Sequence, residues 1–114
     1  MAISYSKLFQ PTALTASAAT LYTVPTVPAT SLLRGARVRL TNTSAAAKTA
    51  RLNAVPSGGA AADSNVFFAD QTVPASGYVD VDVPIMGAGD ILQASAAGGV
   101  GVNVQIIAGG VFSA

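Results

Sequence analysis

The chain has 114 residues, no Cys, no His, and six basic against five acidic residues for a net charge of +1. That length suits one domain. The missing Cys excludes a disulfide framework, a thiolate zinc site and a thiol nucleophile, and the near-neutral balance gives no case for a nucleic acid or an anionic membrane as partner.

The 51% hydrophobic content overstates the core, since 23 of those residues are Ala and only 26 are Val, Ile or Leu. A core this thin often leans on a partner subunit. Residues 1–17, opening "MAISYSKLFQ", carry one Lys with no continuous apolar run after it and do not read as a signal peptide. They also lack alternation, so the reading is an extended N-terminal arm over 1–17 and a β domain over 18–114. Tyr5, Leu8, Phe9 and Leu14 have no local strand pattern to bury them, and the arm is expected to lie on a neighbouring subunit or another surface. "TALTASAAT" reads as arm or a short helical turn.

Past the arm the hydrophobic period is two. "ATLYTV" fits a strand. "ARVRL" alternates Ala36, Val38 and Leu40 with Arg37 and Arg39, and "KTARLNAV" and "NVFFADQTV" follow. "YVDVDVPI" alternates Val79, Val81, Val83 and Ile85 with Tyr78, Asp80 and Asp82. "DILQASA" precedes "VGVNVQI", where Val100, Val102, Val104 and Ile106 alternate with Gly101, Asn103 and Gln105. These are half-buried strand patterns. The separators "TNTS", "PSGG", "PASG", "MGAGD", "AAGG" and "AGG" are turn formers recurring every 8 to 15 residues. "TSAAAKTA" reads as a hairpin connection, and "TVPATS" at 26–31 echoes "TVPASG" at 72–77, each ahead of a strong strand. No stretch reaches the roughly 18 apolar residues of a membrane-spanning helix. The expected fold is an all-β, single-domain antiparallel β-sandwich or jelly roll. Its expected core is Val38, Leu40, Leu52, Val79, Val81, Val83, Leu92, Val102 and Val104.

The residues offer little chemistry. Glu is absent as well as His and Cys, and a Ser or Thr nucleophile needs a base to activate it. Asp80 and Asp82 share one strand face, with little to separate their pKa values as an acid–base pair requires, and calcium would need further oxygens from other segments. The expected reading is a polar strand face. All six basic residues precede all five acids. Arg37 and Arg39 repeat the spacing of the two Asp, and Arg51 is expected to join them across the hairpin. Opposite charges at matching spacing can pair across strands or across a subunit boundary. "MGAGD" contains G-x-G, but the segment after it is too short and too strand-like to be the helix of a dinucleotide site. No aromatic interleaves the Arg patch as single-stranded nucleic acid would require. No cofactor or metal site is expected, and an enzyme ranks third among the function classes.

The pieces "LYTVP", "RVRLTNTSAAAKTARLNAVPSGG" and "TVPASGYVDVDVPIMGAGDILQASAAGGVGVNVQIIAGGVF" resemble, in order and pattern, small tailed-phage virion proteins of the capsid decoration or cement type. The similarity runs from Leu21 to Phe112. It implies a β-sandwich or jelly roll, often trimeric, seated on the capsid surface with the major capsid protein as partner, and no enzyme activity or cofactor. It carries no functional residue across. Related patterns occur in phage tail and head-fibre proteins, so a carbohydrate- or receptor-binding module is the alternative. The interface residues expected from the arm and the charged strands are Tyr5, Phe9, Arg37, Arg39, Arg51, Asp80 and Asp82.

Overall fold

Each alternating segment forms a strand in a computed structural model of the chain, which describes residues 2–4, 8–26, 31–62, 64–97 and 101–113. The strands are β1 (Ala2–Ser4), β2 (Thr12–Ala13), β3 (Ala19–Thr23), β4 (Leu32–Asn42), β5 (Lys48–Val55), β6 (Val66–Val73), β7 (Tyr78–Asp82), β8 (Met86–Gly87), β9 (Ile91–Ala97) and β10 (Val102–Ser113). No helix occurs among the described residues; "TALTASAAT" supplies β2 and bends.

The antiparallel pairing is nested. β1 and β2 pair with β10, β3 with β9, β4 with β7 and β8, and β5 with β6. The chain is thus one long hairpin folded about the β5–β6 connection and then rolled up. Rolling joins β10 to β4 and β9 to β5, which gives one sheet of order β1-β10-β4-β7, with β2 and β8 attached, and a second of order β3-β9-β5-β6. This is a jelly roll.

The inner faces share one core. Leu33, Val38, Leu40, Met86, Val102 and Val104 come from the first sheet, and Leu52, Val73, Leu92 and the small Ala50, Ala94 and Ala96 from the second. Of the expected core, Val79 and Val81 are half-buried and packed against it, and the other seven are buried. The period-two register is therefore correct, because a one-residue slip would have turned all of these outward.

The connection "TSAAAKTA" is not a hairpin. β4 and β5 lie in different sheets, and the link is an arch between them. Asn42, 1% exposed, builds it. Its Nδ2 donates to the carbonyls of Ala46 (2.9 Å) and Val73 (3.1 Å), and its Oδ1 accepts from the Ser44 N–H (2.9 Å) and Oγ (2.7 Å). A buried amide with all these partners satisfies backbone groups that an arch would otherwise strand.

The described part of the N-terminal segment also departs from expectation. Phe9, expected at an interface, and Leu14 are buried in the chain's own core. Backbone bonds explain it: the Leu14 N–H donates to Val102 in the first sheet (2.8 Å), and the Ala96 N–H in the second donates to Thr15 (2.7 Å). The segment straps the two sheets together along one side and fills the gap beneath itself with apolar side chains. Tyr5 lies outside the described residues, as do 27–30 of the "TVPATS" echo.

Candidate functional site

β4 lies between β10 and β7 in the first sheet, and its alternate residues Arg37, Arg39 and Thr41 point outward. The β4–β7 register is unbroken over five residues and places Arg37 opposite Asp82, Arg39 opposite Asp80, and Thr41 opposite Tyr78. Side chains directly opposite on one face are close enough to interact. Arg39 grips Asp80 with two bonds, Nε to Oδ1 at 2.7 Å and Nη2 to Oδ2 at 3.0 Å. Arg37 donates Nε to Asp82 Oδ1 at 2.7 Å. The Arg39 guanidinium also sits 4.3 Å from the centre of the Tyr78 ring, within cation–π range.

Both pairs face solvent, with the Arg37 and Asp82 side chains 52% and 76% exposed and those of Arg39 and Asp80 40% and 30%. The hydrogen bond from Arg39 holds the Asp80 carboxyl below the usual Asp range against the opposing effect of desolvation, with the Arg39 and Arg37 charges helping. Reciprocally, the hydrogen bonds to Asp82 and Asp80 raise the pKa of Arg37 and Arg39. Bidentate pairing of this kind fixes both side chains. It engages both oxygens of Asp80, whereas Asp82 accepts through Oδ1 alone, and the two carboxylates form the rungs of a charge-paired ladder.

Arg51 does not join the ladder. The arch puts β5 in the other sheet, where Arg51 meets Asp70 at 3.5 Å. On that sheet's outer face a recess of about 190 Å³ is lined by Ala18, Arg51, Asn53, Ala61, Ala62 and Ser95. Its rim is tied down by amides: Asn53 Nδ2 donates to Ala62 O (3.1 Å) and Asn65 Oδ1 (2.8 Å), and Asn65 Nδ2 donates to Ala60 O (3.0 Å). These bonds tie Ala60, Ala62 and Asn65 to one another and to β5.

"MGAGD" is a turn. Gly89 has φ +82, and a Cβ there would sit 2.6 Å from Ser57 Oγ. Asp90 closes the turn by accepting from the Gly87 N–H (2.9 Å) and the Ser57 N–H (3.0 Å). The carboxylate already fills the anion position that a phosphate would take.

Sequence reasoning missed two sets of residues. Asn42 and Asn53 are buried polar residues, and the "N-x-S" of "TNTS" is the only local signal of the Asx turn at the first. The second set is Tyr78, Ile85 and Ile107. They are 58%, 65% and 42% exposed, and they are the large hydrophobic side chains exposed among the described residues. Tyr78 lies in β7 and Ile107 at a bulge of β10, between the register pairs Ile106–Val38 and Ala108–Arg37, both in the first sheet, and Ile85 lies in the link between β7 and β8. Alternation places Tyr78 on the polar face beside Asp80 and Asp82 and Ile85 on the buried face with Val83, but β7 ends at Asp82 and Ile85, after Pro84, is exposed; no alternation singles out Ile107.

Fold and face together define a jelly roll with a charge-paired outer sheet and, among the described residues, no cluster of three metal-ligating side chains. No family model matches the chain, and neither a curated protein nor a solved structure matches it.

Proposed function

We propose that the chain is a non-enzymatic structural protein of a bacteriophage virion, a decoration or cement protein that binds the major capsid protein on the outside of the head and stabilises the shell. The observation that carries this reading is the nested strand order. A jelly roll is what the sequence resemblance implies, and it is an architecture that viral structural and lectin domains share. The outer sheet supports it further, because its carboxylates are engaged by guanidinium groups and present a fixed polar surface for contact.

The test is co-sedimentation of the purified protein with phage heads that lack it. Saturable, stoichiometric binding and a raised disruption temperature of the heads are expected, together with a trimeric mass for the bound species. Failure to bind heads together with a specific hit on a glycan array would replace this function with the carbohydrate- or receptor-binding one.

A further inference from the structure

We infer that the free edge of β7 is a docking site for an extended segment of another protein, one that alternates apolar and basic residues and joins the first sheet as a further strand. The inference goes beyond the virion reading and does not depend on it. It assigns one site to each copy of the chain, whatever the oligomer.

Three observations carry it. The first is an open row of backbone groups. β7 ends its sheet, and no described strand lies beyond it. The Asn42 N–H donates to the Gly77 carbonyl, and the Val83 N–H donates to the Ala36 carbonyl. Backbone groups point to alternate sides along a strand, so the odd-numbered residues of 77–83 face β4, while Tyr78, Asp80 and Asp82 turn theirs to the free side. The β4–β7 register is unbroken, so the row is regular. Pro84, which has no N–H, ends it. The edges of the second sheet differ: β3 and β6 both carry register shifts against their neighbours, and irregularities of that kind obstruct strand addition.

The second is that both faces of the edge specify what can be added. The outer face presents Asp80 and Asp82, the latter 76% exposed and bonded through Oδ1 alone. Side chains directly opposite on neighbouring strands interact, so basic residues are favoured there. On the inner face Val79 and Val81 are only half-buried, and apolar residues at the alternate positions of an added strand would cover them. β4 meets the same demands from the other side of β7, with Arg37 and Arg39 outward and Val38 and Leu40 inward. β8 pairs with β4 in the same register as β7. Ile85 therefore lies along the same edge as Tyr78, and these exposed side chains give a docked chain apolar surface at either end.

The third is what the charge excludes. Two β7 edges brought together would set Asp against Asp, which is repulsive. The other edge strands of a second copy, β1, β3 and β6, carry no Lys or Arg. The alternating Arg strand, β4, is enclosed by β10 and β7. The occupant is therefore a segment of a different protein, held by main-chain bonds and selected by its alternate side chains, as in other cases of β-strand addition.

The experiment uses the whole chain and a capped peptide with the β4 sequence "ARVRLT", residues 36–41. Amide hydrogen exchange read by NMR should find the Tyr78, Asp80 and Asp82 N–H groups exchanging fast in the free protein and slowed about tenfold or more by saturating peptide. The same peptide N-methylated at both Arg keeps the charge and loses the N–H groups that would face β7, and it should bind at least about tenfold more weakly. The charge-reversed peptide "ADVDLT" should lose at least as much, and Asp80→Asn with Asp82→Asn should weaken "ARVRLT" by about tenfold. Amides already protected in the free protein overturn the inference, because the edge is then occupied, by a second copy if the solution mass is a multiple. So does the absence of saturable "ARVRLT" binding up to about 1 mM, or equal binding of the N-methylated peptide, which would reduce the contact to charge alone. The peptide variants decide the matter by themselves if the Asp variant does not fold. None of these readouts needs a phage head, so failure here leaves the virion reading to its own test.

Discussion

Each sheet of the jelly roll carries Arg–Asp contacts on its outer face, and they differ in kind. In the first sheet Arg39 and Asp80 make two bonds of 2.7 and 3.0 Å, with Arg37 and Asp82 at 2.7 Å on the next rung. In the second, Arg51 and Asp70 stand 3.5 Å apart. The residue types are the same, so the difference lies in the backbone. The β4–β7 register is continuous through both rungs. The β5–β6 register slips between Ala50 and Leu52 and again between Leu52 and Asn53, and Asp70 has φ +47. A slip rotates the strand and moves a charge off the position opposite its partner. Charge patterning yields a ladder only where the register runs unbroken.

The inner faces should not show this contrast, which the largest expected effects will test. Leu40→Ala in the first sheet and Leu52→Ala in the second remove fully buried side chains, and each should cost about 2–5 kcal/mol as a cavity opens. Comparable shifts in the urea midpoint are expected. A loss confined to one sheet would mean that the two do not share a core.

Leu14→Ala probes the strap between the sheets. Leu14 is fully buried, so the isolated chain should lose about 2–5 kcal/mol, as for a core leucine. An unchanged melting temperature would show that the segment binds elsewhere. Asn42→Ala comes next. It strips the partners from the Ala46 and Val73 carbonyls and the Ser44 N–H, and about 1–3 kcal/mol is expected from polar groups left unsatisfied. If Asn42→Ala matched Arg39→Ala in effect, the arch would be no more demanding than the exposed ladder.

The smallest effect belongs to the ladder itself. Because the folded pKa of Asp80 is lowered, its contribution is fully present above the ordinary Asp value of about 3.9 and lost as pH falls through the lowered folded value. Asp80→Asn should therefore leave the melting temperature nearly unchanged at pH 7 in about 0.5 M salt and flatten the decline below about pH 4. An acid limb identical to that of the unaltered protein would mean that other carboxylates set it. Arg51→Ala, on the longer contact, should change the thermal midpoint least.

Much of this was legible beforehand because strand patterns are local. Alternation says which face of a strand is buried, and it located β3 to β7 and β9 to within a few residues; of β10 it found only the first half, since "AGG", expected as a turn, lies inside the strand with Gly109 at φ +136 beside a bulge. Two carboxylates at i and i+2 share a face whatever the fold, so the matched spacing of Arg37 and Arg39 with Asp80 and Asp82 pointed to their pairing before any neighbour was known. Turn chemistry explained "MGAGD" for the same reason.

Partnership between strands is not local, and only the folded chain decided it. Nothing in "TSAAAKTA" distinguishes a hairpin from an arch. The choice depends on Asn42 finding the Val73 carbonyl, 31 residues away in sequence, and it sent Arg51 to the other sheet. The N-terminal strap has no alternation because Phe9 and Leu14 fill the gap between two sheet edges, where no pleat imposes a period. The bulge that exposes Ile107 belongs to a stretch of β10 where Gly109, at φ +136, approaches Ala36 so closely that an added Cβ would sit 2.9 Å from its Cα. Period two records each strand's own burial, whereas registers, arches and bulges are settled by contacts between segments far apart in sequence.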